Sequence, residues 1–243
     1  MLLIDVHCHL ELFKEEVSKV VERAENAGVR VIITSGMDSA TNRKALSLSR
    51  KFKIVKPSLG IYPTDKLSYP EIEAELKFIS GKKDKIVAVG EIGLDYTLPD
   101  KKKQQDLFES QLFLAEKVGK PVIVHSREAE ADVIKMLKGH SCKAVLHAFH
   151  GSVKLVREAA ESGIFFSIPS NIGRSEQFQR IVKEVPLSHL LTETDAPFLA
   201  PEKGQRSEPA FVAQTVKKIA EIKGLDEIEA ANIIYSNYQN LFS

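Results

Sequence analysis

IVAVGEIG (86–93), a helically periodic stretch at 104–118, and PVIVHSR (121–127) follow one another along the chain. The two flanking runs are short, apolar and rich in β-branched residues, as strands buried on both faces are. Between them Leu107, Phe108, Leu112 and Ala115 recur at helical spacing. Strand, helix, strand without a hairpin turn is the crossover unit that joins parallel strands.

The same alternation extends outward in both directions. LLIDVHCH (2–9), VRVIITSG (29–36) and IVKPSLGI (54–61) precede the unit, and AVLHAF (144–149), IFFSIP (164–169) and LLTETDAP (190–197) follow it. Helices are predicted at 14–27, 39–52, 70–80, 128–138, 152–162 and 175–185, with two more at 209–223 and 226–240. In the first, Val17, Val20, Val21 and Ala24 keep the i, i+3, i+4, i+7 pattern. Asp226 and Glu229 form an N-cap and acidic N3 pair for the last. Eight strand–helix units in 243 residues predict an α/β fold, a (β/α)₈ TIM barrel with 1–243 as a single domain. An open doubly wound sheet is the alternative, but the Gly-rich phosphate turn it usually carries after the first strand is missing.

Lys plus Arg number 34 against 33 Asp plus Glu, a net charge of +1. That balance argues against a surface given over wholly to a polyanion and leaves room for a local anion site. Cys8 and Cys142 form neither a CxxC pair nor a disulfide framework, which fits a reducing compartment. MLLIDVHCHLELFKEE has no basic leader, and no run approaches the roughly 18 apolar residues of a membrane span. The expectation is a cytoplasmic protein with no membrane association and no obligate protein partner.

In such a barrel, function collects at the C-terminal ends of the strands. His7 and His9 close the first predicted strand, Glu91 the fourth, His125 the fifth, His147 the sixth and Asp195 the eighth. Side chains alternate along a strand, so Asp5, His7 and His9 share one face while Cys8 points to the other. Residues two apart are separated by roughly 6.5 Å of rise, close enough for two imidazoles to converge on one ion. Strand eight closes onto strand one, which groups Asp195 with His7 and His9. Neighbouring strands four to six group Glu91, His125 and His147. Two such groups predict two divalent ions about 3.5–4 Å apart sharing a water or hydroxide. The nitrogen and oxygen ligand set makes Zn, Mn or Mg the expected ion rather than Ca.

Each residue also has a plainer reading. A lone inward histidine on a strand is usually a hydrogen-bonded polar group; six potential ligands at strand ends of one barrel outweigh that reading. Cys8 reads as core packing on the helix side, His150 as a solvated loop residue, and Lys101–Lys103 as a solvated helix face. Two divalent ions with two carboxylates and neutral imidazoles leave a net positive centre, suited to an anionic phosphoryl substrate. Arg127, with the strand parity of His125, and Arg206, in the loop PEKGQRSEP, are candidate phosphate clamps. For Arg127 the competing expectation is a salt bridge to Glu128 or Glu130.

At these residues the chain resembles the TatD family of metal-dependent DNases, among the amidohydrolase-like barrels. The matching motifs are DVHCHL (5–10), GEIGLDY (90–96), PVIVHSRE (121–128), LHAF (146–149), TETDAPFLAP (192–201), RSEP (206–209) and SNYQNLF (236–242). The resemblance implies His7, His9, Glu91, His125, His147 and Asp195 as metal ligands, agreeing with the set reached from strand ends. It also implies a nuclease that removes nucleotides from DNA ends, damaged sites included. The sequence departs from the family where GIYPT puts Tyr62 in place of a frequent histidine, and where Lys203 replaces an additional arginine. Tyr62 can hydrogen-bond a phosphate but is a poorer base at neutral pH.

The mechanism expected is attack on a phosphodiester by a metal-bridging hydroxide, with Glu91 and Asp195 as catalytic carboxylates and Asp195 taking the proton. Arg127, Arg206 and Tyr62 hold the substrate. Glu193, with the inward parity of Asp195, and Asp5 support the ligands from behind. The competing readings are a dinuclear hydrolase of a small ester, lactone or cyclic amide, and a barrel whose metals merely stabilise it.

Overall fold

Hydrophobic runs buried on both faces can be satisfied only if helices cover the sheet. In the computed structural model, which describes residues 1–63 and 67–242, they are covered in this way. The strands are β1 (Leu3–Cys8), β2 (Val29–Ser35), β3 (Val55–Leu59), β4 (Ala88–Asp95), β5 (Val122–Arg127), β6 (Ala144–His147), β7 (Phe165–Ile168) and β8 (Leu190–Thr192). They lie in chain order in one sheet, every neighbouring pair parallel. Between them run α1 (Val17–Asn26), α2 (Ser39–Lys51), α3 (Tyr69–Ser80), α4 (Lys101–Val118), α5 (Glu130–Leu137), α6 (Val153–Glu161) and α7 (Glu176–Glu184). After β8 come α8 (Val212–Lys223) and α9 (Glu227–Phe242). This is the expected (β/α)₈ barrel.

Local chemistry sets the helix ends. Asp38 and Thr41 exchange hydrogen bonds as a capping box at the start of α2. The carboxylate of Asp226 accepts the backbone N–H groups of Ile228 and Glu229 at the start of α9. Gly119 and Gly224 end α4 and α8 in the left-handed conformation that glycine adopts without steric cost.

Several strands are a residue or more shorter than expected, and two differences bear most on the site. The eighth was expected over 190–197, but β8 stops at Thr192. Its seam with β1 is closed largely by side chains: Thr192 Oγ1 donates to the Ile4 carbonyl at 2.6 Å, and Asp5 accepts the backbone N–H and hydroxyl of Thr194. Beyond these, Asp195 N donates to His7 O at 2.9 Å and His9 N to Ala196 O at 2.7 Å. The fourth was expected to end near Glu91, but β4 runs on to Asp95, so Glu91 lies within it.

A register shift between Val89 and Ile92 makes a bulge at Glu91, and bulges re-aim a side chain. Two glycines make room for it. A Cβ on Gly60 would lie 2.5 Å from the Glu91 carbonyl, and one on Gly93, at φ +139°, would lie 2.0 Å from the His125 carbonyl.

Candidate metal centre

β1 carries His7 within its length and His9 just beyond its end; β4 carries Glu91, β5 His125, and His147 is the last residue of β6. Asp195 lies past β8 at φ +47°, a backbone conformation unfavourable for a non-glycine residue and concentrated at functional sites. The structure brings all six together. Asp195 Oδ1 is 3.4 Å from His7 Nε2 and 3.6 Å from His9 Nε2. Glu91 Oε1 is 3.1 Å from both His125 Nδ1 and His147 Nε2.

The two groups expected from strand adjacency are not separate. Glu91 Oε2 lies 3.3 Å from His9 Nε2 and 3.6 Å from His7 Nε2, so one carboxylate faces both groups. The His7 and His147 rings stack at 4.1 Å between centroids, which closes the gap between the halves.

The supporting contacts fix which nitrogens face inward. The Ser35 carbonyl, 2.9 Å from His9 Nδ1, can only accept, so in the neutral ring Nδ1 carries the proton and Nε2 is the nitrogen left to present a lone pair to the cluster. Glu11 stands 3.2 Å from the same Nδ1 and is itself held by the Thr34 hydroxyl. Ser35 Oγ is 3.1 Å from His7 Nδ1. Glu193 is fully buried, accepts from Ala148 N and Ser167 Oγ, and faces His147 Nδ1 at 3.8 Å. Asp5 accepts from His7 N and from Thr194, so it braces the seam and the backbone of a ligand rather than an imidazole.

This donor set fits divalent cations. His7 Nε2 is buried without a hydrogen-bond partner, although two carboxylate oxygens face it. Inward lone pairs and carboxylate oxygens are all acceptors, and a cation satisfies them together. Two overlapping triads, His7–His9–Asp195 and His7–Glu91–His147, each bring ligand atoms within 4.8 Å of one another.

The electrostatics follow from this crowding. Burial alone would raise the Glu91 carboxyl, but His147, His125 and His9 outweigh it and hold Glu91 well below the usual carboxylate range. Asp195 is likewise raised by burial, outweighed by His7 and His147, and lowered on balance. Burial would lower His9 and His147, yet Glu11 and Glu91 raise the first and Glu91 and Glu193 the second. His7 is lowered, by burial first and then by His147.

The remaining candidates are placed unequally. Tyr62 donates from its hydroxyl to Asp95 Oδ2 at 2.9 Å and lies 3.2 Å from His125 Nε2. Burial, with Glu91 next, pushes its phenol far up, so it stays protonated and serves as a donor. Arg127 is exposed and lines an open cleft of about 420 Å³ together with His125, His147, Asp195 and Leu199. No ion pair joins it to Glu128 or Glu130 among the described residues. Arg206 is not drawn into the cluster: it donates to the Leu12 carbonyl and lies 5.9 Å over the Phe13 ring. A larger cleft of about 540 Å³, between Ser170–Arg174 and α8, contains none of the clustered side chains, so the smaller one is the candidate site.

Asp95, Ser35 and Glu11 were not anticipated. Asp95 stands two and four residues beyond Gly93 and Glu91 in GEIGLDY and so shares their parity, while Ser35 ends β2. Both could have been found by the strand-end rule applied to the histidines. Glu11 sits on the short turn Leu10–Leu12, where no sequence period marks it.

A barrel whose strand ends gather imidazoles and carboxylates around one bridging glutamate is the architecture of a metal-dependent hydrolase. The chain belongs to the family of TatD-related DNases, whose model matches residues 4–243. It is 34% identical over 258 residues to deoxyribonuclease TATDN3 of Homo sapiens, covering 99% of this chain and 94% of that one. YabD of Bacillus subtilis, an uncharacterized metal-dependent hydrolase, is 34% identical over 253 residues, with 99% of each chain covered. The crystal structure of YJJV, a TatD homolog from Escherichia coli, superposes with a TM-score of 0.89 at 29% identity, covering 99% and 97%. The chain is therefore an enzyme of the metal-dependent hydrolase class. Among the described residues no helix is long and apolar enough to cross a membrane.

Proposed function

We propose that this chain hydrolyses phosphodiester bonds at DNA ends, damaged ends included, with two divalent ions of Zn, Mn or Mg. The observation that carries this reading is the placement of Glu91, one oxygen toward His7 and His9 and the other toward His125 and His147. His7, His9, Glu91 and Asp195 would hold one ion, and Glu91, His125 and His147 the other. When bound, the ions supply an acidified water and charge stabilisation at the phosphoryl oxygen.

The protein's own groups do the rest. Asp195, whose carboxyl stays ionised and borders the open cleft, orients the attacking water and takes its proton. Tyr62 donates to Asp95 and steadies His125 at the ring nitrogen opposite the one that faces Glu91. Arg127, exposed at the cleft wall, meets the scissile phosphate, and Arg206 over Phe13 meets a phosphate farther out along the strand. Ser35, Glu11 and Glu193 keep the ligand imidazoles in one tautomer and orientation. Cys8 and Cys142 are both free, which suits the cytoplasmic setting proposed here.

Digestion of end-labelled DNA oligonucleotides with Mg, Mn and Zn in parallel tests the reading, with a neutral nitrophenyl ester as control. Stepwise shortening from an end, dependent on added metal, is expected. Turnover of the ester with intact DNA would replace the nuclease by a small-ester hydrolase.

A further inference from the structure

Phe198 is 53% exposed at the mouth of the barrel, three residues past Asp195, with its ring 6.3 Å from that of His9 in an edge-to-face arrangement. Leaving a phenyl in water forgoes part of the free energy that its burial would release, and among the described residues no other exposed large apolar side chain makes a ring contact with the histidine cluster. The backbone beneath it is firmly held. Phe198 N donates to Asp195 O at 2.7 Å, Ser207 N to Pro197 O, and Ser170 Oγ to Leu199 O. Arg174 clamps the carbonyls of Ala200 and Pro201. A ring left in water on a segment fixed at this many points is a preorganised surface rather than a loose tip.

We infer that Phe198 is a stacking platform for a nucleobase next to the scissile phosphate. The inference rests on the nuclease reading above and adds a contact that no phosphate clamp provides. Every nucleobase offers a π-face, so such a platform grips a DNA end without reading its sequence. It also suits a protein of near-neutral charge, since stacking supplies part of the grip that a strongly basic surface would draw from phosphate contacts.

The test is a double-mutant cycle on end-labelled oligonucleotides. Wild type, Phe198→Ala, Phe198→Leu and Phe198→Tyr are compared on intact DNA and on DNA with an abasic residue at either nucleotide flanking the cleaved bond. On intact DNA, Phe198→Ala and Phe198→Leu lose roughly 10- to 100-fold in kcat/KM, mostly through KM, and Phe198→Tyr stays near wild type. On one of the abasic substrates wild type loses a comparable factor, and the further penalty of Phe198→Ala shrinks to within about threefold. Equal penalties on intact and abasic DNA, or full activity of Phe198→Leu, overturn the platform while leaving the nuclease standing. No cleavage of any oligonucleotide by wild type overturns both.

Discussion

The backbone N–H of Asp195 donates to the carbonyl of His7 at 2.9 Å, across the seam where the barrel closes. One of the hydrogen bonds that shut the barrel thus also ties together the backbones of two inward groups, 3.4 Å apart at their side-chain tips. At this seam fold and site are one structure, because β8 is too short to zip against β1 by a regular ladder.

Glu91→Gln and Asp195→Asn each remove a negative charge from the candidate metal centre without disturbing packed apolar layers. Both variants are expected to fold, by circular dichroism and thermal unfolding without metal, and to lose well over 10-fold in kcat/KM on DNA. Retention of more than about a tenth of wild-type turnover in either variant would count against these roles.

Glu193→Gln tests support from behind the ligands. Its carboxylate faces His147 Nδ1 and ties Ala148 and Ser167 together. Losing the charge is expected to weaken metal affinity about 10- to 100-fold, read by competition with a chelating dye. Unchanged affinity would reduce Glu193 to a brace between β6 and β7.

The barrel was legible from the alternation of strand-like and helical runs, and the six clustered side chains from histidines and carboxylates at strand ends. Two aspects were not. Periodicity says nothing of a bulge, so Glu91 read as the end of a strand; the clearances at Gly60 and Gly93 that let it bridge both groups depend on contacts between strands. Nor could LLTETDAP announce that its ladder stops at Thr192, since Thr192 and Asp5 replace backbone pairing with side-chain hydrogen bonds. Arg206 was expected as a clamp from its loop alone. Its actual rest over Phe13 depends on residues almost two hundred positions away.

The protonation of the metal-free cluster has a definite sign. His9 and His147 are raised above the ordinary imidazole value of 6.5 in the folded chain. The stability they contribute is therefore fully present below about pH 6.5 and lost as pH rises through their raised values. Metal must displace those protons, so apparent affinity is expected to rise with pH across that window. Calorimetric titration with Mn in buffers of different ionisation enthalpy should show net proton release at neutral pH; heats independent of buffer would contradict this.

Arg127→Ala is expected to lower kcat/KM on DNA roughly 10- to 100-fold, the size of one charge-assisted contact to the reacting phosphate. Arg206→Ala should act mainly through KM, since it lies farther out. With few phosphates engaged, the logarithm of kcat/KM should fall only shallowly against the logarithm of salt concentration. Wild-type behaviour of both variants would remove the clamps.

A metal pair joined by Glu91 that cuts DNA should be visible in the metal stoichiometry of the reaction. Its most direct test is the initial rate of end-labelled oligonucleotide digestion as Mn is added, equivalent by equivalent, to metal-stripped protein. No digestion is expected without metal, and the rate should climb to a break at two equivalents per chain. A break at one equivalent, or digestion by the stripped protein, would contradict it.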